Sequence, residues 1–145
     1  MEPLEHDQAV AALTALHDAL ERALQEGRKA FDEAFRATPP GIGVHEIDAD
    51  HVLQRVNPEE LKMLGYTAEQ MVGHPVREFI VMQEASQRAI EQKLKGARDL
   101  KPFVRTFRRA DGQAVAMLLL DRRLLDPKGV VVGLRTAMTR TKAPG

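Results

Sequence analysis

Two hairpin signals, Ala110-Asp111-Gly112 and Asp126-Pro127-Lys128-Gly129, bracket the most apolar stretch of the chain. Both contain residues that enter tight-turn dihedrals at little steric cost. Between them, residues 113–125 include the run Met117-Leu118-Leu119-Leu120. Successive strand residues point to opposite faces, so an unbroken apolar run predicts a strand buried on both faces. Residues 102–109 and 130–138 read as its neighbours, which makes the C-terminal region a three-strand antiparallel meander.

The other end of the chain has a different period. Over residues 5–36, Leu13, Leu16, Leu20, Leu24, Phe31 and Phe35 recur mostly three, four or seven apart, the stripe of an amphipathic helix. A single helix of about 30 residues is about 45 Å long. That is more than one small sheet requires, so part of the stripe is expected to meet a second copy as a dimer seam. Gly27 interrupts the stripe, and Thr38-Pro39-Pro40-Gly41 ends it. The chain therefore divides into an N-terminal helix, residues 1–36, and a folded domain, residues 37–142.

Between these regions lie two strands, residues 42–47 and 51–56, turned by Asp48-Ala49-Asp50. Asn57, Pro58 and Glu60 form a helix start, with Asn57 as cap, Pro58 at the first helical position and Glu60 placed for a capping box. That helix ends near Gly65. A short turn follows at residues 68–72, then loose turns at 76–81 and a firmer helix at 84–94, with Ala85, Ala89, Ile90 and Leu94 inward and Lys93 outward. The order predicts an α+β fold: a five-stranded antiparallel sheet with short helices on one face, preceded by the long helix.

Val56-Asn57-Pro58-Glu59-Glu60, Leu64-Gly65-Tyr66-Thr67-Ala68-Glu69-Gln70-Met71-Val72-Gly73-His74-Pro75, Arg108-Arg109-Ala110-Asp111-Gly112 and the second hairpin, in this order and spacing, resemble the PAS sensor domain. The resemblance covers residues 35–142. It implies a module that receives a signal and passes it on, with a cavity between the sheet and the short helices. On the helical side the lining would be Met71, Phe79, Ile80, Met82, Ile90 and Leu94, and on the central strand Met117 and Leu119. The same residues also serve as ordinary core packing.

Composition narrows the cofactor. The chain has no cysteine, so disulfides, cysteine-ligated zinc, iron–sulfur clusters and covalent c-type haem are excluded. Within a PAS-like sensor, no cysteine-linked chromophore can form either, whether a flavin adduct or a thioester-bound cinnamoyl group. Non-covalent haem would need a ligand among His6, His17, His45, His51 and His74. The resemblance points to the helix at 84–94 or the segment before it, which leaves His74 as the metal-ligand candidate, with Met82 or Met117 opposite. His45 and His51 flank a turn and read as solvated; His6 and His17 read as helix-surface residues. Non-covalent flavin is disfavoured because aromatic residues make up only 4% of the chain. A small carboxylate is the remaining option. Arg105 is in phase with Phe103 and Phe107, and if that face turns inward Arg105 is a buried cation in need of an anion. Read with Arg108 and Arg109 as a basic run before the turn, it is solvated instead.

Lys+Arg 21 against Asp+Glu 21 gives a formal net charge of +0, which offers no general attraction to nucleic acid or anionic membrane. No apolar run reaches the roughly 18 to 20 residues of a membrane span, and Met1-Glu2-Pro3-Leu4-Glu5 is not a secretory start, so a cytoplasmic protein is expected. No catalytic motif occurs. Where PAS domains usually end on Asp-x-Thr, this chain has Ala137-Met138-Thr139, followed after Lys142 by Ala143-Pro144-Gly145. That departure suggests a stand-alone module speaking through its N-terminal helix. The sequence thus supports a ligand-binding signalling sensor that acts as a homodimer or on a signalling-protein partner; the alternative is a ligand-free dimerisation and interaction module.

Overall fold

The computed structural model describes residues 3–96 and 100–142; the terminal tripeptide 143–145 and the first two residues lie outside these. Five strands, β1 (Ile42–Asp48), β2 (Leu53–Val56), β3 (Phe103–Arg108), β4 (Ala114–Leu125) and β5 (Val131–Thr139), form one antiparallel sheet in the order β2-β1-β5-β4-β3. The meander read from the two hairpins is its right half. β1 pairs with β5 along its whole length, from Ile42 opposite Thr139 to Asp48 opposite Gly133.

Alternation along β4 decides how the layers stack. Met117 and Leu119 belong to one core cluster, with Ile47, Leu134 and Met138 from the other strands. Leu118 and Leu120 point the opposite way, into a second cluster with Val44 and Ala137. The first face is covered by α3 (Pro58–Leu64), α4 (Ala68–Met71), a 3-10 turn at Val76–Phe79, and α5 (Gln83–Leu94). The second is covered by α1 (His6–Glu26) and α2 (Arg28–Arg36). The short helices thus lie on one face, as the sequence predicts, and the N-terminal helices take the other.

Residues 5–36 are not one helix. Gly27 leaves helical geometry altogether (φ 137°, ψ 168°), a conformation open to glycine and costly for other residues, and α2 starts beyond it. The break brings Phe31 and Phe35 into the same cluster as Leu13, Leu16 and Leu20. All five are buried against the chain's own sheet, and only Leu24, 45% exposed, is left out. The stripe that suggested a dimer seam is thus used within the chain. α2 is fastened further by Phe31, whose ring has Arg28, Arg55 and Arg135 at 5.4, 5.3 and 5.0 Å.

Asn57 ties the two layers together. Its Oδ1 accepts from the Glu60 and Val44 amides, and its Nδ2 donates to the Phe35 carbonyl and to Thr38 Oγ1. The cap forms as the sequence predicts, but the second half of the capping box does not. The Asn57 N–H is already taken by the Val44 carbonyl, and the Glu60 carboxylate turns to His45 Nδ1, 2.8 Å away. β1 and α3 approach so closely there that a Cβ on Gly43 would lie 2.7 Å from the Glu60 Cβ.

His17, expected on the surface of α1, is fully buried against β4. Its Nε2–H donates to the Leu120 carbonyl at 2.8 Å, which leaves Nδ1 buried without a hydrogen bond. Burial pushes its pKa down from 6.5 to about 4; the bond to Leu120 opposes this, while Arg122 and Arg135 add to it.

Two predictions follow from this docking. Leu20→Asp places a carboxylate in a site with no exposure and should cost roughly 3 to 5 kcal/mol of folding stability in urea titrations of the monomer. A change confined to molecular mass, with stability kept, would restore the seam reading. For His17, the unfolded imidazole takes up a proton near pH 6.5 and the folded one only near pH 4. Stability should accordingly fall as the pH drops through that window, by about 3 kcal/mol in total. Glutamine keeps a donor for Leu120 but does not titrate, so stability measured in urea across this range should lose that part of its pH dependence in His17→Gln.

Candidate functional site

The inner face of the sheet, under α5, carries more charge than its apolar neighbours suggest. α5 turns Ser86, Ile90 and Lys93 inward. Ala85, expected inside, is exposed, and Ala89 and Leu94 are half-buried. Lys93, expected outside, is 3% exposed. Its Nζ reaches Asp121 Oδ2 at 2.7 Å and stands 3.4 Å from the centroid of the Phe103 ring. Asp121 is equally deep and accepts a second hydrogen bond from Thr136 Oγ1 on the neighbouring strand. A buried carboxylate needs this many partners, because each unpaired charge in the interior costs several kcal/mol.

Arg105 also stands over the Phe103 ring. β3 alternates Phe103, Arg105 and Phe107 onto the inner face, in register with Leu119, Met117 and Val115 of β4. Arg105 is 8% exposed, with its guanidinium carbon 4.8 Å from the Phe103 centroid. Among the described residues its guanidinium makes no hydrogen bond and no ion pair. Burial pushes its pKa below the ordinary arginine range, and the charge of Asp121 opposes that shift. The guanidinium lines a cleft of about 250 Å³ together with Ile80, Ser86, Ala89, Phe103 and Thr106. One wall of this cleft is the segment leading into α5, which covers the free edge of β3: the Val81 N–H donates to the Thr106 carbonyl at 3.0 Å.

The structure separates the other sequence candidates. Met71, Phe79, Ile80, Ile90, Met117 and Leu119 are buried in one cluster, and Leu94 packs against it. Met82 is 68% exposed at the rim of the cleft, because it is the residue that caps α5 rather than one that faces the sheet. His74 is also outside: its side chain is half exposed and pairs with Glu78, four residues on, at 3.1 Å. His74 and Met82 therefore do not converge on an interior iron site. Two histidines read as solvated are instead buried beside carboxylates, His45 with Glu60 and His51 with Glu91, each at 2.8 Å. Among the described residues, no three His, Asp or Glu side chains come together to hold a metal ion. Lys93 and Asp121 escaped the sequence reading because the two residues are far apart in the chain; the one trace was an aspartate directly after four apolar residues of a central strand.

Among the described residues no helix is long and apolar enough to cross a membrane. No curated protein matches the chain. Solved structures do. The PAS domain of an HTR-like protein from Haloarcula marismortui is 20% identical, with TM-score 0.65 over 83% of this chain and 96% of that one. A PAS domain from Colwellia psychrerythraea is 15% identical, with TM-score 0.67 over 77% and 94%. The PAS domain of a LuxR-family transcriptional regulator from Burkholderia thailandensis, in complex with ethanol, is 19% identical, with TM-score 0.58 over 74% and 94%. Since the family profile described as the PAS fold also matches residues 30–137, this chain belongs to the PAS family.

Proposed function

We propose that the chain is a ligand-responsive, non-catalytic sensor whose cleft beside Arg105 takes a small carboxylate with an apolar body. The observation that carries this reading is a buried arginine whose guanidinium makes no ion pair and no hydrogen bond among the described residues, lining a cleft. An arginine fork pairs a carboxylate through two parallel hydrogen bonds, and the gain is larger where water is excluded. The rest of the lining, Ile80, Ala85, Ala89 and Phe103 with the hydroxyl groups of Ser86 and Thr106, suits a compact apolar group with few polar atoms. Behind it, Met71, Phe79, Ile90, Leu94, Met117 and Leu119 form the apolar bed, with Met82 at the mouth. Relatives of the same fold are described with small molecules, ethanol in the Burkholderia domain and glycerol in Drosophila Cycle PAS-B. A Light-Oxygen-Voltage relative is described with a flavin analogue; here both the scarcity of aromatic residues and the outward placement of His74 favour an uncoloured ligand.

In this reading the signal starts at Phe103, whose ring both Arg105 and Lys93 contact. An anion that draws Arg105 away from the ring also moves the Lys93–Asp121 pair, and Asp121 adjoins Leu120, whose carbonyl holds His17 of α1. Residues 1–36 are then the output element of a PAS domain spanning 37–142. A partner, either a second copy or another signalling protein, meets the outer side of α1, since its leucine stripe is occupied.

Benzoate and its neutral analogue benzamide test this directly by thermal unfolding. At a hundredfold excess over Kd, a one-site ligand adds about 2.7 kcal/mol, which for a domain of this size is roughly 5 to 10 °C. Benzoate should raise Tm, benzamide should not, and Arg105→Gln should abolish the benzoate effect. Equal responses to both compounds, or a benzoate response retained in Arg105→Gln, would dismiss the anion site. A Tm indifferent to ligands would favour the ligand-free interaction module.

A further inference from the structure

A second opening on the inner-face side lies at the opposite end of the short-helix layer, between α3, the β3–β4 hairpin and the end of β5. The cleft there measures about 370 Å³ and is lined by Lys62, Met63, Arg109, Gln113, Val115 and Arg140, among others. Three of its residues are cations and none is acidic. Lys62 and Arg140 form no ion pair among the described residues. Arg109 has only a 3.5 Å approach from Asp111, and its Nε is buried without a hydrogen-bond partner. A chain with a formal net charge of +0 has no general surplus of cations to scatter over its surface. Three of them around one recess is a local imbalance, and mutual repulsion alone would not keep it.

A second cleft, of about 300 Å³, adjoins this one through the shared residues Lys62, Met63 and Arg140. Its remaining walls include Leu4, Pro40 and Gly41. The acid there, Glu59, is committed to the protein: its Oε1 accepts from the Gly41 N–H at 2.7 Å. The two clefts thus form one groove with a cationic end and a more apolar end.

From this groove we infer a binding site for a small amphiphile with a phosphate-monoester head and a short aliphatic tail. Arg109, Arg140 and Lys62 receive the head, with the buried Nε–H of Arg109 as a donor already lacking an acceptor. Three cations set against the carboxylates of Asp111 and Glu59 leave a charge of about one, so the choice of head group rests on donor number. Two guanidinium groups and an ammonium offer more N–H groups than the two oxygens of a carboxylate accept, and the three oxygens of a phosphate monoester suit them better. The tail lies along Met63 toward Leu4 and Pro40. This site is independent of the Arg105 cleft, with which it shares no lining residue.

Isothermal titration calorimetry with n-octyl phosphate, held below micelle formation, tests the assignment against inorganic phosphate and octanol. Octyl phosphate should bind at least about tenfold more tightly than either. Arg140→Gln and Lys62→Gln, both at exposed positions that the fold does not need, should each weaken it about tenfold, as expected for loss of one charge-assisted contact. Arg109→Gln should do the same where circular dichroism shows it folded, and Arg105→Gln should leave binding unchanged. Inorganic phosphate binding as tightly as the octyl ester would remove the apolar half of the proposal. Undiminished binding in Arg140→Gln and Lys62→Gln, or no heat with octyl phosphate, would overturn it altogether.

Discussion

The centre of strand β4, from Met117 to Asp121, has no face to give to water. Met117 and Leu119 point into one cluster and Leu118 and Leu120 into the other, all four at 8% exposure or less. Burying four such side chains contributes on the order of 1.5 to 3 kcal/mol each, but only if both faces are covered. The short helices cover one, and the rest of the architecture serves the other. α1 must lie on the chain's own sheet, Gly27 must break so that Phe31 and Phe35 can close the end of that layer, and the leucine stripe is consumed in doing so. The same demand reaches the backbone: with α1 pressed onto β4, a polar group must meet the Leu120 carbonyl, and His17 does.

A strand placed so deep also fixes the cost of any charge beside it. Asp121 is the first residue after the apolar run, and it is buried because its neighbours are. Lys93 and Thr136 answer it. Elsewhere Glu60 is answered by His45, and Glu46 by Arg135 at 2.8 Å. Removing one member of such a pair leaves the other uncompensated at a cost of about 3 to 5 kcal/mol. Against that pattern Arg105 and the Nε of Arg109 stand apart. Arg105 is buried with no hydrogen bond to its guanidinium among the described residues, the Nε of Arg109 is buried without an acceptor, and each residue borders a recess.

What could be read from the sequence was whatever depends on near neighbours. Asp111-Gly112 and Asp126-Pro127-Lys128-Gly129 set the meander, and Asn57-Pro58 set the start of α3, because turns and caps are closed by residues a few positions apart. The inward phase of Arg105 followed from Phe103 and Phe107 by simple alternation, although the rule could not say which face was inward. The failures have a common cause. Lys93 was assigned to solvent because a lysine on a helix usually belongs there, and the partner that holds it inside, Asp121, sits on a strand that only tertiary packing brings near. His17, His45 and His51 were misplaced for the same reason. Glu60 was given to a local capping box and went instead to a histidine on β1. The single helix over 5–36 failed at Gly27, where the residue's lost helical propensity, only about 1 kcal/mol, was added to the gain from burying two phenylalanines.

This distinction bears on how a sensor of this fold can be tuned. Pairs such as Lys93–Asp121 are satisfied before any ligand arrives, so they resist change and are suited to transmitting a displacement as a unit. An unpaired cation such as Arg105 is the opposite: its environment already disfavours the charge, and an arriving anion relieves that penalty as well as adding its own contacts. Binding free energy is therefore largest where the free protein is least satisfied. Phe103 belongs to both kinds of site, in ring contact with both cations. In the proposed reading, a ligand on Arg105 therefore acts on a ring that Lys93 also touches, and on a charge that Asp121 already feels.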